Sequence, residues 1–247
     1  EKSTYFYFQY LYNENHTYIL KNNSQIISAL QIVPMPIMKN NTPKNCYFIL
    51  GVCTHPAYQK QGMMKQLMQY VLKEYDNQDI YLQAYHPEIY RPFGFNASHY
   101  HQIITIDQDI LQDQEKWNIS HDYHLLEDYY RQFTKHFDEY RIRDESYWNL
   151  FIKRCESFED HMIIFKDLGY LIYHKSEETI YISEAIYLHQ KALIQMLSYF
   201  KGSSQNIELE CDLTVDLPCK SRYIITMMNN HLNQDRQDSH YYINEVY

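Results

Sequence analysis

The sequence predicts an α/β protein with two successive domains of one arrangement, each a mixed β-sheet flanked by helices. First, a nearly continuous apolar run at 46–55 is typical of a strand buried on both faces. Second, apolar residues at spacings of three and four predict an amphipathic helix at 63–75, directly after that strand. Third, the order of strands and helices predicted for the first half returns in the second half, although the sequence itself does not repeat. Strands joined by helices in this way indicate the α/β class.

Turn and loop residues divide the first half into short elements. Its opening stretch, 3–12, is aromatic and predicts a helix. Two β-rich runs lie on either side of Asn22, Asn23 and Ser24, and because these residues favour turns they predict a hairpin over 16–37. The remaining elements are, in order, a polar loop at 39–45, the strand at 46–55, the helix at 63–75, a strand at 80–86, a turn or short helix at 87–95 and a strand at 100–106.

A polar stretch at 107–122 is where the domain boundary is expected. The prediction is a first domain at 1–118, a second at 119–230 and a C-terminal tail at 231–247. Asp144 is placed to cap the second helix of the later domain. The predicted elements of that domain are helices at 124–137 and 143–155, strands at 161–166, 169–175 and 179–188, a helix at 189–202 and a final strand at 206–213.

Composition and charge exclude several classes of partner. The chain has 247 residues and a formal net charge of −9 with no basic stripe, which argues against nucleic acid because phosphate binding needs clustered Lys and Arg. The acidic balance suits either a cationic small substrate or solubility alone. No apolar run approaches the roughly 20 residues of a membrane span, and no signal-peptide pattern opens the chain. The five cysteines form no Cys-x-x-Cys pair, so reduced thiols in a cytoplasmic protein are expected.

Gly62 stands out because the chain has only 5 glycines. It lies between a predicted strand and a predicted helix, where the first amide groups of the helix lack internal partners and the helix dipole favours negative charge. Glycine also lets the backbone approach an anion closely. The neighbouring sequence has neither the pattern of a P-loop nor that of a dinucleotide site. Gly62 therefore predicts either an anion site on the amides of 60–64 or a residue that only eases the turn.

The residues around Gly62 resemble a known motif. The stretch GVCTHPAYQKQGMMKQLM, which begins at Gly51, resembles the acyl-CoA-binding motif of the GCN5-related N-acetyltransferases, the GNAT superfamily. Gln59 to Met64 occupy its Gln/Arg-x-x-Gly-x-Gly/Ala pattern, and Met64 replaces the small last residue. A long apolar residue there is similar to the enhanced-intracellular-survival acetyltransferases. The resemblance covers about 5–217 and includes the predicted hairpin, IYRPFGF at 89–95, RDESYWN at 143–149 and DLPC at 216–219.

This resemblance implies a fold and an activity. It implies two tandem GNAT-like domains, of which the first binds acetyl-CoA and the second is degenerate. The helix of the second copy follows EAIYLHQKAL, with no Gly and no Gln/Arg-x-x-Gly. The implied reaction transfers an acetyl group from acetyl-CoA to a primary amine of a small cationic acceptor, by direct attack on the thioester and without a metal. Besides this small-molecule acceptor, the chain could partner with itself as a homo-oligomer.

The resemblance also assigns roles to single residues. Tyr90 matches the tyrosine that protonates the leaving CoA sulfur, and a reference pKa of about 10 keeps a tyrosine protonated at neutral pH. The alternative for Tyr90 is a packed aromatic residue beside Phe93. The backbone of Val52–Thr54 is expected to bind the pantetheine arm as an added strand would, with one amide donating to the thioester oxygen. The expected cofactor-binding residues are Val52, Cys53, Thr54, Gln59, Lys60, Gln61, Gly62, Met63, Met64, Lys65, Tyr85 and His86.

The general base is left open. The C-terminal carboxylate at Tyr247 reaches the site in some relatives and is one candidate. His55 and His86 lie at the ends of two predicted strands, and each is expected to be a surface or loop histidine. Cys53 has no paired His and Asp signature, so a buried strand thiol is expected there rather than a nucleophile.

His99 and His101 are the only tempting metal cluster in the sequence. Alternation places both on one face of a strand. No Cys or carboxylate stands at zinc spacing beside them, so no metal site is predicted.

Two other functions stay open beside the enzyme. One is a non-catalytic acyl-CoA-binding or regulatory module that keeps the fold, and Tyr90→Phe separates it from the enzyme because only an enzyme would lose turnover. The other is a transferase that uses aminoacyl-tRNA, against which the acidic balance weighs.

Overall fold

The computed structural model describes residues 2–84, 86–114, 116–158, 160–230 and 241–243, with side chains from Thr4 onward. The helices are α1 (Lys2–Phe6), α2 (Met63–Glu74), α3 (His124–Thr134), α4 (Glu145–Phe158) and α5 (Gln190–Leu197), and α1 continues as a π-helical turn over Tyr7–Leu11. The strands are β1 (Thr17–Asn22), β2 (Gln25–Pro34), β3 (Ile37–Lys39), β4 (Thr42–Lys44), β5 (Cys46–Thr54), β6 (Asp79–Gln83), β7 (Asn96–Ile106), β8 (Ile119–Ser120), β9 (Glu139–Arg141), β10 (His161–Phe165), β11 (Gly169–Lys175), β12 (Thr179–Tyr187), β13 (Asn206–Asp212), β14 (Cys219–Asn229) and β15 (Tyr241–Tyr242).

Eleven of these strands form one sheet in the order β1-β2-β5-β6-β14-β7-β13-β12-β11-β10-β8. In the first half, β1, β2 and β5 are antiparallel neighbours, and β6 lies parallel to β5 after a crossover through α2. In the second half, β10, β11 and β12 are antiparallel, and β13 lies parallel to β12 after a crossover through α5. The predicted α/β class, a mixed sheet flanked by helices, is confirmed.

The two halves exchange strands at the centre of the sheet. The last strand of the second half, β14, lies antiparallel between β6 and β7. The last strand of the first half, β7, pairs in turn with β13 of the second half. The two sheets expected from the sequence are therefore one continuous sheet, and β14 from within the predicted second domain completes the first half.

Apolar side chains cover both faces of this sheet. The stripe of α2 buries Leu67, Met68 and Val71 against β2, β5 and β6. In the second half, α5 packs on one face, and α3 and α4 pack on the other. This follows from the strand period of two, because successive residues of β11 such as Leu171 and Ile172 contribute to different clusters.

The motif RDESYWN has a structural role at the start of α4. The buried guanidinium of Arg143 donates to both carboxylate oxygens of Glu184, at 2.9 and 2.6 Å. The hydroxyl of Tyr170 donates to the same carboxylate at 2.7 Å. Asp144 accepts from the amide of Tyr147 at 2.8 Å, so the predicted cap of this helix is confirmed. A charge buried as deeply as Arg143 needs this bidentate partner, which joins the start of α4 to β12.

Several elements differ from the sequence prediction. The loop predicted at 39–45 contains the hairpin of β3 and β4, whose turn residues Asn40 and Asn41 have positive φ. The strand β14 was not predicted, and it lies beyond the last predicted strand. The C-terminal segment was predicted as a polar tail, but Tyr242 and Ile243 are buried because their apolar side chains pack against the sheet.

Candidate active site

Strands β5 and β6 lie side by side only over their first residues. Their parallel pairing runs from Cys46 with Asp79 to Phe48 with Tyr81. Beyond that point β5 continues to Thr54, and no described residue of β6 pairs with it. The edge of β5 that faces β6 is therefore open to an extended ligand, which could bind it as an added strand.

A β-bulge bends β5 where it leaves β6. On the other edge of β5, Ala29 pairs with Cys53 whereas Gln31 pairs with Leu50, so β5 carries one extra residue here. Gly51 lies in this bulge with a φ of +63°, the left-handed region that favours glycine. A Cβ on Gly51 would meet nothing within 4 Å, so the backbone angle, not crowding, requires the glycine.

The loop over 55–62 turns the chain from β5 into α2. After a 3-10 turn at Pro56–Tyr58, the backbone takes positive φ at Lys60 (+61°) and again at Gly62 (+82°). Left-handed residues next to helical ones direct successive amide groups to one side, which is the geometry of an anion-binding concavity. The space where a Cβ of Gly62 would lie is empty to 4 Å.

The amides at this turn find no acceptor in the part of the chain that the structure describes. The first hydrogen bond of α2 is donated by the amide of Gln66 to the carbonyl of Gly62, at 3.0 Å. Among the residues that the structure describes, the amides of Lys60–Lys65 donate to no backbone or side-chain acceptor. Free amides at the positive end of a helix dipole attract anions such as phosphate.

The side chains of the two glutamines in the motif stabilise the loop. The side-chain amide of Gln59 donates to the carbonyl of Thr54 at 3.3 Å, and that of Gln61 donates to the carbonyl of Ala57 at 2.9 Å. Both bonds tie the turn back to the end of β5. These side chains thereby fix the conformation that leaves the nearby amides free.

Met64 replaces the small residue of the motif without blocking the turn. Its side chain packs against the apolar cluster of α2 and the sheet, together with Val52. Met63 is half-buried, and Lys60 and Lys65 are exposed at the surface of the same turn. The apolar side chain of Met64 therefore lies toward the core while its amide stays available.

Tyr90 packs against the same apolar cluster as the start of α2. It follows a 3-10 turn at Pro87–Ile89 and packs against the cluster that also includes Val52 and Met64. Its ring meets that of Phe95 edge-to-face, with centroids 6.4 Å apart. Burial raises the pKa of the Tyr90 hydroxyl above its ordinary value, so the group keeps its proton at neutral pH.

A cavity of about 820 Å³ opens where β5 and β6 diverge. Its walls come from β5, β6, β7 and β14, from the turn that continues α1, and from β12 and β13 of the second half. Gly51 of the bulge and Ala84 at the end of β6 lie in these walls. The open edge of β5 therefore borders a space that is large enough for a small molecule.

Sequence reasoning missed a buried polar cluster in the far wall of this cavity. Glu210 and Tyr181 line the cavity, and the Tyr181 hydroxyl donates to the Glu210 carboxylate. His101 lies behind them, with its Nδ1 3.5 Å from Glu210 Oε1. The signal available in the sequence was weak: a Glu within the apolar run NIELECDL, with nothing to show what it would face.

Three further predicted site residues are exposed, and two lie outside the described residues. Cys53 is exposed, so the expectation of a buried thiol is wrong, because β5 has lost its neighbour β6 at this point. His86 is exposed and lies 3.3 Å from the carboxylate of Glu88. His55 is an exposed loop histidine, as expected, and its Nδ1 accepts from the amide of Ala57 at 3.2 Å. Tyr85 lies outside the described residues, as does Tyr247, the candidate base.

The two histidines of HYH are both buried on one face of β7. His99 Nε2 lies 3.2 Å from Glu139, and burial lowers the pKa of His99 although this carboxylate opposes the shift. His101 faces Glu210 instead. Within the described part of the chain, no group of three or more His, Cys, Asp or Glu side chains could hold a metal ion.

The corresponding junction of the second half is built differently. Only Leu188 and His189 separate β12 from α5. The Nδ1 of His189 accepts from the amide of Ala192 at 3.0 Å, and its carbonyl accepts from the amide of Leu193 at 3.3 Å. The start of α5 is thus capped by its own chain, unlike that of α2.

Helices of the described residues are all too short or too polar to cross a membrane. The comparison with curated protein sequences found no match. The sequence profile described as "Acetyltransferase (GNAT) domain" matches residues 1–98.

Solved structures share the fold over most of the chain. A protein of Enterococcus faecalis V583, described as a probable N-acyltransferase, has a TM-score of 0.70 at 20% identity over 87% of this chain and 62% of that one. A GCN5-related N-acetyltransferase of Kribbella flavida has a TM-score of 0.71 at 13% identity, over 87% and 60% of the two chains. Eis1 of Mycobacterium abscessus has a TM-score of 0.63 at 12% identity, over 92% and 69%.

The chain spans less than two thirds of the length of the first two of these structures. At such identities the likeness concerns the fold. The predicted resemblance to the GNAT acetyltransferases is confirmed by the profile match over residues 1–98 and by this shared fold.

Proposed function

We propose that the chain is an acetyl-CoA-dependent N-acetyltransferase that acetylates a primary amine of a small cationic acceptor by direct attack on the thioester. The observation that carries this proposal is the row of free amides at Lys60–Lys65, next to the open edge of β5. CoA contains an anionic pyrophosphate, which could bind at the turn, and an extended pantetheine arm, which could lie along the strand. The match of the GNAT acetyltransferase profile to residues 1–98 supports the same activity.

The residues of the first half fit acetyl-CoA in two places. The amides of Lys60–Lys65 would hold the pyrophosphate at the positive end of α2. The backbone of Val52–Thr54 would hold the pantetheine arm, because this edge lacks a neighbouring strand. Acetyl-CoA supplies an acetyl group activated as a thioester, and an amide of β5 would donate a hydrogen bond to its oxygen.

We assign the general acid to Tyr90. Its half-buried hydroxyl keeps its proton because burial raises its pKa, so it can donate that proton to the leaving thiolate. Tyr90 packs against the same apolar cluster as Val52 and Met64, which belong to the two segments that would bind the cofactor, and this supports the assignment. Packing beside Phe93 and Phe95 is compatible with this role, because the same contacts would hold the ring in a fixed position.

We also propose that the halves are two GNAT-like domains with different tasks. The matched order of strands and the two helical crossovers support the duplication. The second domain, expected at 119–230, would not bind CoA because His189 caps its helix. It would instead shape the acceptor site, since Tyr181 and Glu210 of that half line the cavity. The pairings of β7 and β14 across the halves would fix the position of one half relative to the other.

The test is an acetyl-transfer assay with Tyr90→Phe, following the release of free CoA thiol with an amine acceptor. Loss of a general acid lowers turnover by about 100-fold or more, so kcat should fall by at least that factor while acetyl-CoA affinity stays the same. The matched control is Tyr47→Phe, because Tyr47 packs against the same cluster where β5 is still paired. Equal kcat in wild type and Tyr90→Phe would contradict the assignment.

The pH dependence of kcat is a second test of the general-acid role of Tyr90. Because its folded pKa is raised, the protonated acid persists below that pKa and is lost only as the pH rises through it. Loss of this acid should therefore lower the kcat of the wild type only above the ordinary tyrosine pKa of about 10. A protein that binds acetyl-CoA but transfers no acetyl group to any amine would instead be the non-catalytic acyl-CoA-binding module.

A further inference from the structure

His101 is a buried histidine with one ring nitrogen that finds no partner in the described part of the chain. It lies on β7 and is only 7% exposed. Its Nδ1 lies 3.5 Å from Glu210 Oε1, whereas its Nε2 is buried and makes no hydrogen bond with any described residue. Buried polar atoms are nearly always hydrogen-bonded, so this Nε2 indicates either a bound water or a functional role.

Glu210 favours one tautomer of this ring. A carboxylate beside Nδ1 stabilises the form that carries its proton on Nδ1, which leaves a lone pair on Nε2. The Tyr181 hydroxyl donates to the other oxygen of Glu210. The ring of Tyr242 stacks on that of His101 at an interplanar angle of 18°. The imidazole is therefore held in one orientation, with Nε2 as a hydrogen-bond acceptor.

A small cavity of about 10 Å³ adjoins His101. Its other walls are Gln83, Ile225, Met227 and Ile243. This volume has room for a single water, which would have two polar partners, Nε2 and the Gln83 side chain. Gln83 and Ile225 also line the large cavity beside β5, so the two cavities share part of their walls.

The residues of this cluster lead across the sheet toward the open edge of β5. Glu210 lies on β13, His101 on the neighbouring strand β7, and Gln83 at the end of β6, the strand that pairs with β5. Four strand spacings, about 19 Å along the sheet, separate β13 from β5, so Glu210 is too far to take a proton from an amine there directly. A water in the small cavity would contact both Nε2 and Gln83, which is one strand spacing from β5.

We propose that His101 is the proton acceptor of the acetyl transfer and takes the protons of the amine through water beside Gln83, with Glu210 as a positioning residue. This inference rests on the proposed function and names the general base that the reaction needs. Histidine is the side chain used most often for proton transfer in catalysis, and here its accepting nitrogen is the one that borders the water.

The proton balance of the transfer closes with these groups. The ammonium form of the acceptor gives one proton through the water to Nε2, which releases it to solvent. The neutral nitrogen then forms a bond to the acetyl carbon, the C–S bond breaks, and Tyr90 donates its proton to the leaving sulfur. The nitrogen loses its second proton to Nε2 by the same route, and that proton replaces the one given by Tyr90.

The first experiment compares His101→Asn with wild type, following release of the CoA thiol with hexylamine, cadaverine and spermidine as amine probes. The kcat should fall by about 100-fold or more, because a general base contributes at least that factor, while acetyl-CoA affinity measured by calorimetry stays the same. His99→Asn is the matched control, since His99 is a buried histidine on the same face of β7 that pairs with Glu139 and is not among the residues lining either cavity. Equal kcat in wild type and His101→Asn, or the same loss in both variants, would overturn the inference.

A second measurement needs no variant of His101 and no acceptor. Long-range proton–nitrogen NMR of the wild type at mildly alkaline pH shows which ring nitrogen of His101 carries the proton. We expect the proton on Nδ1, and Glu210→Gln should increase the form protonated on Nε2, because a Gln amide can donate to Nδ1. A proton on Nε2 in the wild type would overturn the inference.

Failure of this inference can be told apart from failure of the proposed function. Transfer that continues undiminished in His101→Asn leaves the N-acetyltransferase proposal intact and removes only the role of His101. A wild type that binds acetyl-CoA but acetylates no amine removes the proposed function, and the base assignment with it.

Discussion

In the first half of the molecule, residues 55–62 separate a strand from its crossover helix, whereas in the second half only Leu188 and His189 do so. Both junctions follow a strand that runs parallel to the next strand for only part of its length. In the second half this pairing covers Thr179 with Asn206 to Ile182 with Leu209, although both strands continue beyond it. A parallel pair that diverges is therefore common to both halves.

The difference between the halves lies in what the helix amides contact. At α2 the turn carries left-handed residues and the amides of Lys60–Lys65 have no acceptor among the described residues. At α5 the side chain and carbonyl of His189 accept from Ala192 and Leu193. An anion gains most where amides are otherwise unsatisfied, since capped amides already have a partner. If the first half binds a phosphate as proposed, the loop before its helix, and not the sheet, accounts for the difference between the two halves.

The largest effect should come from Gly62→Glu. Its carboxylate would enter the empty space at the turn, and its repulsion of a pyrophosphate should weaken acetyl-CoA binding by about 100-fold or more. Titration calorimetry measures the loss. Gly202→Glu is the matched control, because Gly202 also has a positive φ (+80°) and open space but lies beyond the end of α5. Similar losses of affinity in both variants would show that backbone strain at a positive φ, and not repulsion of the pyrophosphate at Gly62, is responsible.

A smaller effect is expected from His189→Ala at the second junction. Losing this cap should lower the free energy of unfolding by about 1 kcal/mol, measured by chemical denaturation. Acetyl-CoA affinity and the stoichiometry of one per chain should not change. His55→Ala provides the comparison, since the ring of His55 also accepts from a nearby backbone amide, that of Ala57, but at the first junction. Binding of a second acetyl-CoA molecule per chain in His189→Ala would mean that the cap alone prevents binding in the second half.

The smallest effect should come from Lys60→Gly. Glycine tolerates the positive φ of Lys60, which stabilises the fold, but it also gives the unfolded chain more freedom, which destabilises the fold. The free energy of unfolding should therefore change by no more than about 1 kcal/mol, and it should rise if the first effect is the larger. If the backbone amide binds the anion, acetyl-CoA affinity should fall less than about threefold. Lys60→Ala removes the ammonium but keeps the strained φ, and it separates the two contributions. A tenfold loss in both variants would assign the anion to the Lys60 side chain.

The sequence was most informative where structure is set locally. The apolar run of β5, the stripe of α2 and the place of Gly62 follow from neighbouring residues, and each was predicted. The sequence could not show that β14 lies between β6 and β7, because that pairing joins segments more than 100 residues apart. The exposure of Cys53 also depends on a missing neighbour strand, and the pattern of β5 alone does not reveal it.

The cavity was beyond sequence reasoning for the same reason. Glu210 faces a space made by strands of both halves, and only the folded sheet brings it into the same cavity as Gly51 and Ala84. The motif around Tyr90 predicted a role but no contacts, and the structure gives the contact with Phe95 and the shared cluster with Val52. Motifs in this chain thus located one side of the candidate site, and long-range packing located the other.

The central claim is that the amides of Lys60–Lys65 bind the phosphates of acetyl-CoA while the start of α5 does not. Amide hydrogen exchange of the full chain, read residue by residue with and without acetyl-CoA, tests it most directly. The free amides of Lys60–Lys65 should exchange quickly and become protected when acetyl-CoA is added, and the amides of Gln190–Leu193 should not change. Protection at Gln190–Leu193, or none at Lys60–Lys65 despite measured binding, would contradict the claim.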